Sequence, residues 1–333
     1  MPHPDPFRAL VLENDGGTVR AIVKSLPVNS LPEGDVLVSV AYSSLNYKDA
    51  LAITNRGKIV RRFPMVPGID FSGVVVESKS SRFKPGNEVI LTGWGVGEDH
   101  WGGLAQLARV KADWLVPLPQ GLTLQRAMAI GTAGLTAMFC IVALEKHAVR
   151  PDKGAVLVTG ATGGVGSVAV MLLAKLGYHV AASTGKADSH EFLKSLGAQD
   201  IIDRRELAKH SDRPLESGRW AGAIDSVGGD TLAAVLRQME RDGCVAAVGL
   251  AGGVELHTTV HPFILRGVSL IGVSSVQMPM ERRLSAWARL AGELPMEVLD
   301  RLTQTARLDE VPTLSQKMID GQTRGRIVID VNG

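Results

Sequence analysis

At 333 residues, with 45% hydrophobic and 21% charged residues, the chain is long enough for two domains and has the composition of an ordinary soluble globular protein. A formal net charge of +2 offers no basic surplus for a nucleic-acid partner, and no apolar run reads as a membrane span. The N-terminal stretch MPHPDPFRAL lacks the basic-then-apolar layout of a signal peptide, and the two cysteines, Cys140 and Cys244, sit among apolar neighbours, so a reducing, cytoplasmic setting is expected.

Residues 1 to about 120 read as mostly β. Short β-like runs recur at Ala9–Leu12, Val36–Ala41, Gly73–Glu77, Glu88–Leu91 and Ala105–Val110. Pro and Gly punctuate them at Pro32–Gly34, Pro67–Gly68 and Pro85–Gly86, which suggests a small antiparallel barrel. Asn46, Tyr47 and Asp49 fall in one turn after the Val36–Ala41 run, and Asp49 is expected to cap the helix that starts at Ala50. Arg56, Lys58, Arg61 and Arg62 form a basic run, which suits either a phosphorylated ligand or a solvated loop. Gly93, Gly95, Gly97, Gly102 and Gly103, interleaved with Trp94 and Trp101, make a loop that could approach a ligand, act as a lid, or serve only as a crossover.

From about residue 124 the texture changes. Leu124–Ala148 is rich in helix formers, interrupted at Gly131–Gly134. Strands at 155–159, 178–183, 200–203, 221–226, 244–248 and 268–273 then alternate with helices at 164–176, 187–196 and 230–240, the pattern of a doubly wound parallel sheet. Helical patterns at about 281–292 and 296–306 follow, and a last strand, Arg326–Val331, is expected to return to the first domain.

The stretch AVLVTGATGGVGSVA, residues 155–169, places Gly160, Gly163 and Gly166 between a strand and a helix. In that setting one glycine permits the tight turn, one lets the backbone approach a pyrophosphate, and one lets helix and strand pack closely. Thr162, Gly163, Gly164 and Val165 would then meet the phosphates at the helix N-terminus. The next strand ends in Ser183, Thr184, Gly185 and Lys186, where a site for an unphosphorylated ribose would carry Asp or Glu. Hydroxyls and an ammonium there, with Arg204 after the third strand, suit a 2′-phosphate and point to NADPH rather than NADH.

A barrel domain, an inserted dinucleotide domain and a C-terminal return together resemble the medium-chain dehydrogenase/reductase superfamily. More narrowly, SSLNYKDALA (43–52), FPMVPGIDFSG (63–73), LTGWGVGEDHWGGLAQLARV (91–110), GTAGLTAM (131–138) and HPFILRGVSLIGVSSV (261–276) resemble the NADPH-dependent acryloyl-CoA reductases, a zinc-free, quinone-oxidoreductase-like branch. The resemblance implies an α/β fold with a GroES-like catalytic domain over residues 1–124 and 274–333, a Rossmann NADPH-binding domain over 125–273, and an active site where they meet. It implies Tyr47 beside the nicotinamide, bonding its ribose or donating a proton to substrate, and Asn46 binding the ribose or the substrate carbonyl. Leu250, Ile264 and Ser275 would line the nicotinamide, and Arg326 would reach cofactor or substrate. Trp94 is a candidate wall of the acyl pocket, and Arg61 and Arg62 are candidates for the CoA phosphates. Asp225 is read as structural, and His257 and His261 are given no role.

No metal is expected. The zinc alcohol dehydrogenases need a Cys and a His ligand and often a four-Cys lobe, whereas this chain has two cysteines, Asn46 near the place of a Cys ligand, and Gly68-Ile69-Asp70 where Gly-His-Glu would stand. The expected reaction is reduction of the acryloyl-CoA C=C bond by hydride transfer. A quinone or 2-alkenal reductase and a non-catalytic NADPH-binding module are the alternatives. Val268–Val276 is an apolar terminal strand, and since such strands pair across a two-fold axis in the superfamily, a homodimer is expected.

Overall fold

The computed structural model describes residues 4–209 and 211–333, so Met1–His3 of the stretch read for a leader lie outside the described residues. The chain divides into two compact units: 1–132 with 275–291 and 299–333, and 133–274 with 292–298.

The first unit opens with a hairpin of β1 (Phe7–Asp15) and β2 (Thr18–Leu26). Gly16 and Gly17 turn it with φ of 57° and 94°, and Asn14 Oδ1 accepts from Gly17 N at 2.8 Å. The sequence reading found β1 but not β2, whose residues are mostly exposed or half-exposed. The unit continues through β3 (Val36–Ser44), α1 (Tyr47–Ile53), β4 (Asp70–Ser78), β5 (Glu88–Thr92), β6 (Leu107–Val110) and β7 (Leu115–Pro117). Alternate residues of these strands, Val36, Val38 and Val40 with Phe71, Val75, Val89 and Leu91, point into one apolar core.

Helix α2 (Leu124–Lys146) starts in this unit and ends in the second, and is broken at Gly131, whose φ of 52° and ψ of −159° lie outside helical space. By length and composition α2 could cross a membrane, which corrects the reading that no apolar run is long enough. Its apolar window is 89% buried inside the protein, as for a core helix.

The second unit holds β8 (Ala155–Val158), α3 (Gly164–Lys175), β9 (His179–Thr184), α4 (His190–Ser195), β10 (Asp200–Asp203), α5 (Arg204–Leu207), β11 (Trp220–Asp225), α6 (Gly229–Arg237), β12 (Met239–Ala247), α7 (His261–Arg266) and β13 (Ser269–Gly272). All pairings are parallel in the order β10-β9-β8-β11-β12-β13, the doubly wound order with its switch point beside β8. Val156, Leu157 and Val158 of β8 are fully buried, as a central strand covered on both faces must be.

The chain then forms α8 (Met280–Glu293), α9 (Met296–Leu302), β14 (Thr303–Arg307), α10 (Val311–Ile319) and β15 (Arg326–Asp330). The first unit's main sheet runs β14-β15-β3-β4-β5-β7, with β6 also on β3. It is antiparallel except for β14 and β15, so the sheet is mixed rather than wholly antiparallel. The helix expected over 296–306 ends at Leu302, because Thr303–Arg307 pairs with β15 and this tertiary partner overrides the local pattern.

Candidate active site

In the second unit the glycine turn after β8 is as tight as its spacing implied. A Cβ on Gly160 would lie 2.3 Å from Ser226 Oγ, and one on Gly166 would lie 2.4 Å from Gly160 O. Gly163 is the N-cap of α3 and supplies no side-chain cap, while Gly164 and Val165 form the first turn and Thr162 is buried behind it. A helix start with no side chain over its N–H groups suits an anion. Asp225 braces the neighbouring turn, accepting from Thr159 Oγ1 at 2.6 Å and Gly228 N at 2.8 Å. Burial pushes its carboxyl above the usual carboxylate range, in keeping with a structural role.

The end of β9 gathers hydroxyl and basic side chains. Ser183 and Thr184 are buried, and Thr184 Oγ1 accepts from Lys186 N at 3.1 Å. Arg204, at the start of α5, lies over Gly185: a Cβ there would be 2.3 Å from Arg204 Nε. Arg204 is exposed and has no ion pair among the described residues. The adjacent carboxylate, Asp203, is instead taken by Arg205 (Nη2 to Oδ2, 2.9 Å), which holds it down at about 2. That leaves the Arg204 guanidinium for a further anion. Leu250 and Ile264, also of this unit, are 58% and 70% exposed.

In the first unit a buried polar hub seats the turn that carries Asn46 and Tyr47. Asn46, rather than Asp49, is the N-cap of α1, which corrects the expected cap. Asp49 is the third residue of the helix and closes a capping box: Oδ2 accepts from Asn46 N at 2.9 Å, and Oδ1 accepts from Ile69 N at 2.9 Å. The cap falls on Asn46 because β3 runs to Ser44, leaving one residue, Leu45, before it.

Asp70, fully buried at the start of β4, accepts from Ser44 N (3.1 Å), Ser44 Oγ (2.7 Å), Asn46 Nδ2 (3.1 Å) and Thr132 N (2.8 Å). It therefore ties β3 and α1 to Thr132, just past the Gly131 break. Arg326, 2% exposed, donates to Ala129 O (2.7 Å), Ser44 Oγ (2.9 Å), Met128 O (3.3 Å) and Asn46 Oδ1 (3.4 Å). These contacts engage the side chains of both Arg326 and Asn46 within the protein. Both amide ends of Asn46 are used. Tyr47, by contrast, is 42% exposed, so the hub presents its phenol outward from the first turn of α1.

Two carboxylates, Asp49 and Asp70, share this hub with one guanidinium. Burial, with the Asp70 charge second, raises the Asp49 carboxyl to about 7. A carboxyl raised on folding binds more protons in the native state than in the unfolded one, so its effect on stability is present at low pH. It is lost as pH climbs from about 4 to about 7. The stability of the first unit in urea should therefore fall between pH 4 and pH 7, by on the order of 4 kcal/mol at most. Asp49→Asn should flatten that slope, and equal slopes in the two proteins would remove Asp49 as its source.

The remaining candidates make none of the hydrogen bonds given above for the hub. Arg61 and Arg62 are exposed, with Arg61 Nη1 3.8 Å from Asp99 Oδ2. Trp94 and Ser275 belong to the first unit; Trp94 is half-buried, and Ser275 is buried. The role of Asp70 was missed in sequence, where its only signal was its place in Gly68-Ile69-Asp70. Among the described residues no three His, Cys, Asp or Glu side chains gather as a metal site.

Residues 32–120 match the alcohol dehydrogenase GroES-like domain, and residues 164–291 match the family described as zinc-binding dehydrogenase. The chain is 57% identical over 326 residues to the probable acrylyl-CoA reductase AcuI of Escherichia coli, covering 98% of this chain and 100% of that protein. It is 54% identical over 328 residues to the acrylyl-CoA reductase AcuI of Ruegeria pomeroyi, covering 98% and 99%. The solved E. coli YhdH with bound NADPH superposes with a TM-score of 0.95 at 57% identity, covering 97% of this chain and 100% of that one. With identity of this order over essentially its whole length, the chain belongs to the acrylyl-CoA reductase family of the medium-chain dehydrogenases/reductases.

Proposed function

We propose that this protein reduces the C=C bond of acryloyl-CoA to propanoyl-CoA at the expense of NADPH. The full-length identity to two acrylyl-CoA reductases carries the reading. The residues present fit the cofactor: a glycine turn that a Cβ would fill, an uncapped helix start, and an arginine left for an anion at the end of β9. Thr162, Gly163, Gly164 and Val165 would hold the pyrophosphate, and Ser183, Thr184, Gly185, Lys186 and Arg204 the phosphorylated ribose. Leu250, Ile264 and Ser275 would flank the nicotinamide. When bound, NADPH supplies a hydride to the β-carbon, and a proton from the protein or water completes the α-carbon.

Tyr47 is the exposed polar side chain of the hub turn, and it donates a hydrogen bond or proton as negative charge develops on the thioester oxygen. Asn46 and Arg326 act behind it by fixing the turn. Tyr47→Phe should lower kcat by about 100-fold while the protein stays folded. Unchanged kcat and unchanged NADPH affinity would remove Tyr47 from the mechanism. Trp94 walls the acyl group, and Arg61 and Arg62 meet the CoA phosphates.

The enzyme is further proposed to be zinc-independent, cytoplasmic and homodimeric. Asn46 and Asp70 are engaged in the hub where metal ligands would otherwise stand, and both thiols are free and buried. Strand β13 is the terminal strand of its sheet, next to the exposed Ile264 and Leu265 of α7, a surface suited to pairing with a second copy. A monomer at micromolar concentration would overturn the dimer. NADPH oxidation with acryloyl-CoA, crotonyl-CoA, acrolein and a simple quinone, with and without a chelator, tests the function. Preference for acryloyl-CoA that survives chelation supports it, whereas turnover of the quinone or acrolein alone replaces the substrate.

A further inference from the structure

The loop after β5 holds a bulky residue in a left-handed backbone conformation: Gly93 (φ 79°), Trp94 (59°) and Gly95 (81°) are consecutive. Such a conformation strains a non-glycine residue and persists only where its surroundings over-determine it. The surroundings here are a second segment, Ser275–Met278. Trp94 N donates to Val276 O at 2.9 Å, and a Cβ on Gly93 would lie 2.8 Å from that same oxygen.

One side chain fastens the two segments. Arg283, on α8, is fully buried and uses its whole fork. Nε donates to Met278 O (3.0 Å); Nη1 to Thr92 O (2.8 Å) and Thr92 Oγ1 (2.9 Å); Nη2 to Ser275 O (2.6 Å) and Val276 O (2.9 Å). Its guanidinium carbon also lies 4.7 Å from the centre of the Trp94 ring. Among the described residues no carboxylate is within ion-pair distance of it. Burial lowers its pKa to about 10, so it stays charged near neutrality. An apolar side chain would fill this volume without a desolvation penalty. The arginine is instead matched to five oxygens and one ring, and a lysine, with a point charge and no fork, cannot reproduce that match.

We propose that Arg283 is a positioning residue for the substrate site, holding Trp94 and the Ser275–Val276 main chain in register and so setting the room available to the acyl chain. The proposal rests on the acyl-CoA reading above. It explains why the strained loop and the residue read as lining the nicotinamide, 181 positions apart in sequence, share one anchor.

A double-mutant cycle tests it, using full-length enzyme with acryloyl-CoA and crotonyl-CoA. Arg283→Lys should lower kcat/KM for acryloyl-CoA about tenfold and cut the acryloyl-to-crotonyl preference at least fivefold. Trp94→Phe should shift the preference similarly, and the double variant should be little worse than Arg283→Lys alone. An unchanged preference in Arg283→Lys, or additive effects in the double variant, would overturn the proposal. Should Arg283→Lys fail to fold, Thr92→Val removes one of its acceptors, and an unchanged preference there overturns it equally. If wild type does not reduce acryloyl-CoA, the functional reading falls separately. Hydrogen exchange at the Trp94 amide, which needs no turnover, then decides the matter: the clamp requires its protection to drop in the variant.

Discussion

Replacing Arg204 with Gln should lower kcat/KM for NADPH by about 10- to 100-fold and leave the NADH reaction within about twofold of wild type. The reason is local. Asp203 would be the obvious partner for Arg204, but Arg205 takes it with a 2.9 Å contact and keeps its carboxyl ionised at about 2. Arg204 is left exposed, its guanidinium lying over a glycine that a side chain would displace. A charge-assisted bond to a 2′-phosphate is worth about 1.5–3 kcal/mol, and NADH has no group to receive it. Steady-state kinetics with both cofactors reads the effect. A variant that keeps the wild-type preference would shift the assignment to Lys186 and the hydroxyls of Ser183 and Thr184. Gly185→Asp should act in the same direction, since it places a like charge where the phosphate belongs and a Cβ where Arg204 lies.

Removing Asp70 should be the most destabilising single truncation in the first unit. Its carboxylate accepts four hydrogen bonds, from Ser44 N and Oγ, Asn46 Nδ2 and Thr132 N, and is the leading opposite charge acting on the buried Arg326. Asp70→Ala leaves a buried guanidinium without that charge, a loss of about 3–5 kcal/mol. Four of the five tryptophans, at 94, 101, 114 and 287, belong to this unit, so fluorescence during urea unfolding reports on it directly. A midpoint within error of wild type would show that the hub is not what holds α1 and β3 together with Thr132. Asp70→Asn keeps the shape and drops the charge. Because the Asp70 charge is the second cause, after burial, of the raised Asp49 carboxyl, that variant should also weaken the pH dependence of stability. Gly131→Ala attacks the hub from another side, since its Cβ would sit 2.6 Å from Arg326 Nη2, 2.9 Å from Ser44 Oγ and 3.0 Å from Asp70 Oδ2. In each case kcat should fall with stability, because the displaced turn is the one that presents Tyr47.

What the sequence by itself determined is local in origin. The β8 strand, the glycine turn and α3 follow from a short apolar run, glycines at three-residue spacing and a 3.6-residue period, all between Ala155 and Lys175. The choice of NADPH follows from which side chains end the next strand, again a short-range pattern. Long runs shared with one family carried the catalytic reading. What the tertiary structure alone decided is every role that depends on partners distant in the chain. Asp49 looked like a cap because its spacing allowed it, but β3 runs on to Ser44 and passes the cap to Asn46. Thr303–Ala306 looked helical until β15 gave this stretch a parallel neighbour. Arg326 drew notice because it opens a strand next to the expected site, but the acceptors about 200 and 280 positions away that meet its guanidinium follow from the fold alone. Arg283 lies in a stretch where the sequence showed only a helical pattern, and the fold alone turns it inward onto Thr92 and Ser275. A buried polar side chain must find its partners wherever the chain brings them, and no period or spacing in a single sequence encodes that meeting.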